Sequence, residues 1–170
     1  MTLIYIRFNK MYNVIILFGV SGCGKSLIGN QLSKDLQFEF IEGDDFHSNE
    51  NIKKMKNNIP LNDYDREEWL DQINKEIKKF RNKNVVIACS ALKEIYRKRL
   101  VKGIEAKIDW FCLKGTFDII KERLDNRGDH YFKSTLLRSQ FNIIEYPDYC
   151  TFIDIIESPD KIVERIKSAL

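Results

Sequence analysis

GVSGCGKS, residues Gly19 to Ser26, follows directly on the apolar run Tyr12-Asn13-Val14-Ile15-Ile16-Leu17-Phe18 and leads into Leu27-Ile28-Gly29-Asn30-Gln31-Leu32. The stretch fits G-x-x-x-x-G-K-[ST], the phosphate-binding P-loop, in the setting that motif requires: a β-rich segment before it and a helix-forming segment after it. Average residue usage would produce the pattern by chance in about one percent of chains this long. A glycine-rich connection without a ligand is the competing reading, and the flanking strand and helix argue against it. In such a loop the backbone N–H groups and a helix N-terminus converge on phosphate, so polyphosphate is held by geometry and dipole. Gly19, Gly22 and Gly24 let the backbone wrap closely, and Val20, Ser21 and Cys23 complete the loop. Lys25 is expected to reach the β- and γ-phosphates and the Ser26 hydroxyl to coordinate Mg²⁺. The implied ligand is a nucleoside triphosphate.

At 170 residues the chain is most simply one domain, large enough to bury a core. Hydrophobic residues at 44% and charged residues at 31% describe an ordinary soluble globular protein. The 28 basic and 25 acidic residues leave a net charge of +3, too small to imply a nucleic-acid partner, and no basic stripe with interleaved aromatics appears. That balance suits a site that attracts anions. Cys23, Cys89, Cys112 and Cys150 lie far apart and in no metal-ligand spacing. Three of them fall in or beside apolar strand-like runs, where free cysteine acts as a small buried hydrophobe, so a reducing, cytoplasmic setting is expected. No segment reaches the length needed to cross a bilayer, and no membrane partner is expected. Residues 1–10, MTLIYIRFNK, lack the layout of a signal peptide and read as an extension ahead of the first strand, with Met11 an alternative start.

Short apolar segments alternate with helical ones along the whole chain. Strands are expected over 12–18, 37–41, 84–90, 107–113 and 151–156, where nearly continuous runs rich in Val, Ile and Phe suit buried parallel strands. Helices are expected over 25–35, 48–57, 66–81, 92–101, 116–127, 133–145 and 159–169. In the third of these Trp69, Ile73, Ile77 and Phe80 recur at spacings of three and four and share a face. The alternation implies an α/β fold, a five-stranded parallel sheet flanked by helices on both sides.

A P-loop alone does not say what becomes of the γ-phosphate. The second expected strand ends in Glu42-Gly43-Asp44-Asp45-Phe46-His47, which places carboxylates at the carboxyl edge of the sheet, where open α/β sheets hold ligands. A carboxylate there can take the proton from an acceptor hydroxyl or help position Mg²⁺ through water. A simple turn rich in Gly and Asp is the plainer alternative. The third strand ends in Cys89-Ser90-Ala91-Leu92-Lys93 without an Asp, so the metal-holding acid of motor-type NTPases is missing at this place. Arg123 and Arg127 sit four apart on an expected helix and face one way, and Gly128-Asp129-His130 then breaks it, with Lys133 following. A cationic segment of this kind can close over phosphates and neutralise transition-state charge; an ordinary solvated helix face is the alternative.

Taken together, these stretches resemble the small P-loop gluconate kinases, relatives of the shikimate and nucleoside-monophosphate kinases. The family's D-G-D-x-x-H, followed by N-I-x-K-M-x-x-G-x-P-L-x-D-x-D-R-x-P-W-L, is matched by EGDDFHSNENIKKMKNNIPLNDYDREEWL. Its C-S-A-L-K-x-x-Y-R appears as Cys89 to Lys93 with Tyr96 and Arg97. Its R-L-x-x-R-x-x-H-F lid appears as Arg123-Leu124, Arg127 and His130, and its L-L-x-S-Q-F helix as Leu136 to Phe141. The departures are Glu42 for the first Asp, Asn58 for a glycine, Glu68 for the proline before Trp69, Tyr131 inserted in the lid, and Ile144 for a leucine.

The resemblance implies a P-loop NTPase fold with a helical lid, a single kinase domain over 11–170, a lid region at about 123–145, and ATP-dependent phosphorylation of D-gluconate to 6-phospho-D-gluconate with Mg²⁺. Lys25, Asp44 and Arg127 are the expected catalytic residues, and the P-loop with Arg123 and Arg127 the expected nucleotide site. Asp44, His47, Arg66, Ser90, Arg97 and His130 are expected around the acceptor, with Arg66 and Arg97 placed to grip a carboxylate through forked hydrogen bonds. Pairing into a homodimer stays open, since related small kinases often pair. A kinase for another hydroxylated acid such as shikimate, and a nucleotide-dependent binding protein with little turnover, are the rival readings.

Overall fold

The computed structural model describes residues 11–126 and 134–170; the extension expected over 1–10 lies outside them. The apolar run after Tyr12 forms β1 (Asn13–Phe18), and Val14 to Phe18 all have 0% exposure. Successive side chains of a strand point to opposite faces, so both faces of β1 are covered, the environment a non-alternating apolar run requires. The chain continues through α1 (Lys25–Leu36), β2 (Glu39–Glu42), a 3₁₀ turn (Gly43–Phe46), α2 (Asn49–Lys56), α3 (Asp63–Lys79) and β3 (Val85–Ala88). It then forms α4 (Glu94–Leu100), β4 (Lys107–Lys114), α5 (Phe117–Asn126), α6 (Ser134–Ile143), β5 (Thr151–Asp154) and α7 (Pro159–Ser168). Among the described residues the five strands make one parallel sheet in the order β2-β3-β1-β4-β5, as the alternation of the sequence implies.

That order decides where a ligand can sit. The chain leaves β1 towards β2 on one side of the sheet and leaves β3 towards β4 on the other. Beyond the carboxyl ends of these two neighbours the connections diverge and open the crevice in which doubly wound sheets bind ligands. The register Leu17↔Ala88 brings the ends level, and the ladder runs on past the strands through Cys89 N–H to Leu17 O (3.1 Å) and Gly19 N–H to Ser90 O (3.3 Å).

Two local features differ from the periodicity reading. α3 starts three residues earlier than its apolar stripe implies. Asn62 accepts from Asp65 N–H (2.8 Å) while Asp65 accepts from Asn62 N–H (2.9 Å), a reciprocal cap that satisfies backbone donors before any apolar residue is needed. The same helix ends at Lys79, so Phe80 lies past it as the cap residue. The second feature is the 3₁₀ turn after β2, which the sequence reading leaves as a loop. Glu42 opens it by accepting Asp44 N–H.

The turn is drawn tight against β3. A Cβ on Gly43 would stand 2.6 Å from Ala88 O and 3.3 Å from Cys89 Cα, both backbone atoms that cannot swing aside. Trp69, buried in α3, clamps the same residue by donating Nε1–H to Gly43 O at 2.7 Å. Gly43→Ala should therefore push the turn off β3, destabilising the protein by about 1–3 kcal/mol and lowering Tm by roughly 3–10 °C for a chain of this size. Thermal unfolding measures it, and an unchanged Tm would contradict the close approach.

Candidate active site

The loop after β1 turns through positive φ at Gly19, Gly22 and Gly24. At Gly24 the need is conformational: it caps α1 at φ 101° with no side-chain hydrogen bond to the helix, leaving the first amides of α1 pointing out of the loop. Lys25 is buried and folds back across the loop, its Nζ donating to Gly19 O (3.1 Å) and Val20 O (3.0 Å). An ammonium held by two carbonyls at the mouth of an amide ring is placed to exchange them for phosphate oxygens. Ser26 is exposed at the exit, and its hydroxyl bonds the Glu42 carboxylate at the end of β2. Burial pushes the Glu42 carboxyl above its ordinary range, with the hydrogen bond from Ser26 opposing that and the Asp44 charge adding to it. A hydroxyl and a carboxylate side by side are the hard oxygen donors that suit Mg²⁺. Among the described residues no group of three or more His, Cys, Asp or Glu could hold a metal by itself.

Next to the loop lies a pocket whose walls include Ser21, Asp44, His47, Arg66, Ser90 and Gln140. Four residues expected around an acceptor, from three separate stretches of sequence, thus share one cavity with the P-loop's Ser21. Each is fixed by its element. Asp44 sits on the 3₁₀ turn with its side chain exposed, 3.9 Å from His47 Nε2. His47 stacks on Trp69 at 4.3 Å and 12°, with Nδ1 buried and without a hydrogen-bond partner among the described residues. The neutral ring's proton therefore belongs on Nε2, facing Asp44, where an oxygen can accept it. Arg66 enters from the first turns of α3, buried, with Nη1 donating to the carbonyls of Leu61 and Asn62 (3.2 Å to the latter) and its guanidinium over the Tyr96 ring. Lys93 and Tyr96 both bond Asp63 at the start of α3 (2.7 Å from Lys93), so the Lys-x-x-Tyr of α4 braces the helix that carries Arg66.

Arg97 does not join them. It is 1% exposed, and its guanidinium is spent on Ala91 O (2.9 Å), Leu92 O (3.1 Å), Glu145 O (3.2 Å), the Tyr149 hydroxyl (3.0 Å) and the Glu94 carboxylate (3.1 Å). It ties the chain after β3 to the segment after α6 through Nε and Nη1, and it is not among the residues lining the pocket of Asp44 and Arg66. Arg123 lies on the far side of the P-loop, in a groove with Gly22, Gly24, Ile28 and Ile155, and donates Nη2–H to Ile155 O at 2.6 Å. Arg127 and His130 lie outside the described residues.

The periodicity reading missed three contributors. Trp69, read as one member of an apolar stripe, is also the plate under His47 and the clamp on Gly43. Glu42 is a partner of Ser26 at the end of β2. Gln140 bonds Ser21 across 119 positions of sequence, for which no local pattern exists.

With this geometry in hand, comparison with known proteins is specific. The shikimate kinase family model matches residues 21–168. A probable gluconokinase of Dictyostelium discoideum is 41% identical over 90% of this chain and 84% of its own length. The thermosensitive gluconokinase of Escherichia coli K12 is 42% identical over 91% of this chain and 86% of its own. The chain belongs to the gluconokinases of the shikimate kinase family. The crystal structure of a gluconokinase from Sinorhizobium meliloti 1021 superposes with a TM-score of 0.81 at 34% identity, covering 91% of this chain and 89% of that one. That likeness is one of overall fold, the α/β fold that the motifs of this gluconokinase family member implied.

The buried His47 gives the site a pH signature. Burial holds its pKa down to about 4, from 6.5, with the Arg66 charge acting the same way and Asp44 opposing both. A group depressed on folding is protonated first in the unfolded chain, which then binds more protons between those two values. Stability must accordingly fall as pH drops from about 6.5 towards 4. The Tm of His47→Gln should decline less steeply than wild type over that window in circular-dichroism melts, and parallel slopes would remove His47 as the cause.

Proposed function

We propose that this protein transfers the γ-phosphoryl group of ATP to the terminal hydroxyl of D-gluconate, releasing ADP and 6-phospho-D-gluconate. The observation that carries the reading is the single pocket in which an acid, a neutral histidine, an arginine and a serine open onto Ser21 of the phosphate loop. An acceptor that is both an anion and a polyol matches that set. The free part of the Arg66 fork takes the carboxylate, and His47 Nε2–H and the Ser90 hydroxyl bond the chain hydroxyls. The relatives' activities favour gluconate over shikimate as the acid.

In the reaction the terminal hydroxyl oxygen forms a bond to the γ-phosphorus, the bond from that phosphorus to the β–γ bridging oxygen breaks, and the hydroxyl proton passes to Asp44. Asp44 is exposed to the pocket and positioned as the general base or as the group that aims the hydroxyl. Lys25 and the first amides of α1 hold the β- and γ-phosphate oxygens as charge spreads over them. Ser26, with Glu42 near it, would hold Mg²⁺, which would supply positive charge to the phosphate oxygens. Arg123 holds the nucleotide on the side away from the acceptor. Arg127 and His130 remain assigned to the lid by the family pattern, with Arg127 supplying a second cation to the transferring group.

Two measurements test this. A coupled assay following ADP release should respond to D-gluconate and not to shikimate or nucleoside monophosphates; release with shikimate alone would move the protein to the other acid, and release with none would leave a nucleotide-binding protein. Asp44→Asn should lower kcat by about 10²- to 10⁴-fold, the usual worth of a positioned base, while ATP binding followed by calorimetry stays near wild type. Wild-type turnover in that variant would sink the role given to Asp44.

A further inference from the structure

α6 touches both halves of the site. Gln140, 8% exposed, accepts a hydrogen bond from Ser21 N–H at 2.7 Å and donates from its own amide to Ser21 Oγ at 3.2 Å. At the other end of the helix Thr135 donates its hydroxyl to the Asn58 side chain at 2.6 Å, in the loop between α2 and α3. Between these two anchors Leu136 and Ser139 face the same pocket as Asp44 and Arg66. One ten-residue helix is thus fastened to the acceptor loop at its start and to the phosphate loop near its end.

The chemistry at position 140 is matched to this place. Ser21 presents one donor and one acceptor, and a carboxamide answers both with a single planar group. It does so without charge, beside a loop built for a triphosphate. A carboxylate would set a buried negative charge there, and an aliphatic side chain would leave the Ser21 amide, which no other residue engages among the described ones, without a partner.

We infer that Gln140 is a positioning residue that makes acceptor binding and nucleotide binding depend on each other. An acceptor seated against α6 fixes the helix, the helix fixes Gln140, and Gln140 holds Ser21 and the loop in phosphate-binding shape. The dependence is reciprocal by linkage: whatever factor ATP adds to acceptor affinity, the acceptor adds to ATP affinity. This rests on the kinase reading above.

Isothermal titration of the full chain tests it, with D-gluconate titrated in the absence and presence of a saturating non-hydrolysable ATP analogue and Mg²⁺. Wild type should bind gluconate about 5- to 150-fold more tightly with the analogue present, the usual range of coupling between sites. In Gln140→Leu that factor should fall to within about twofold of unity while each ligand alone still binds. Should the leucine variant not fold, Gln140→Met keeps the length and flexibility of the native side chain without its amide. Thr135→Val, which cuts the other anchor, should reduce the factor in part. A merely structural role would weaken both ligands and leave their ratio intact, and that result overturns the inference. So does a wild type without coupling, or a Gln140 variant that retains it. Wild type that fails to phosphorylate gluconate overturns the kinase reading instead, and wild type that phosphorylates it while the variants stay coupled overturns only the role of Gln140.

Discussion

Because β1 and β3 lie side by side with Leu17 against Ala88, the loops leaving their carboxyl ends start at the same height and are stitched together by the Gly19–Ser90 bond. Everything chemical in the molecule is hung from that seam. The phosphate loop continues β1, Ser90 continues β3, and the 3₁₀ turn with Asp44 is pressed onto β3 from the other side through Gly43. A slip of one residue in this parallel pairing would turn every side chain of β3 to the opposite face, and Val85 to Ala88 are all fully buried. The apolar cores on both sides of the sheet therefore fix the register, and the register fixes the distance between the triphosphate loop and the acceptor walls. Core packing and catalysis are here the same constraint seen from two ends.

The two buried arginines show how similar side chains are given different work by their surroundings. A buried guanidinium is tolerable only when its donors are met. Around Arg97 the chain supplies three carbonyls, a phenol and a carboxylate, and the ring of Phe18 lies beneath it at 5.2 Å. These bonds, all from Nε and Nη1, lock Ala91 and Leu92, directly after Ser90, in position. Arg66 is nearly as buried, but it lines the pocket, and its backbone bonds leave from Nη1. An incompletely satisfied cation beside a neutral histidine makes a local demand for an anion, which a sugar acid meets and a neutral sugar does not.

The strands and the phosphate loop were legible because both are written in contiguous residues: a buried parallel strand is a run of Val, Ile and Phe, and the loop is eight consecutive positions. Asp44, His47, Arg66 and Ser90 were legible as a group through family motifs, each lying at the end of a strand or the start of a helix. What could not be read is what long-range hydrogen bonding decides. Arg97 sits in a motif next to Ser90, and only the carbonyls folded around it reveal its bracing role and its place away from the pocket walls. The early start of α3 comes from the Asn62–Asp65 exchange, a polar signal that apolar periodicity ignores. The Ser26–Glu42 and Ser21–Gln140 pairs join residues whose sequence neighbourhoods carry no hint of each other.

The positions where the chain leaves the family pattern sharpen this account. Glu68, in place of a proline, is exposed on α3 and touches nothing in the acceptor pocket, and Ile144 lies beyond the end of α6. Asn58 is different. It holds φ at 60°, where the pattern has glycine, a conformation asparagine tolerates better than most residues. Unlike glycine it also has a side chain to offer, and that side chain receives the Thr135 hydroxyl. The substitution keeps the backbone of the acceptor loop and adds an anchor to α6 that glycine could not make. Glu42, at the other side of the site, stands beside Ser26 at the end of β2. Both departures thus fall beside the pocket walls, while the pocket residues Asp44, His47, Arg66 and Ser90 stay as the family pattern has them.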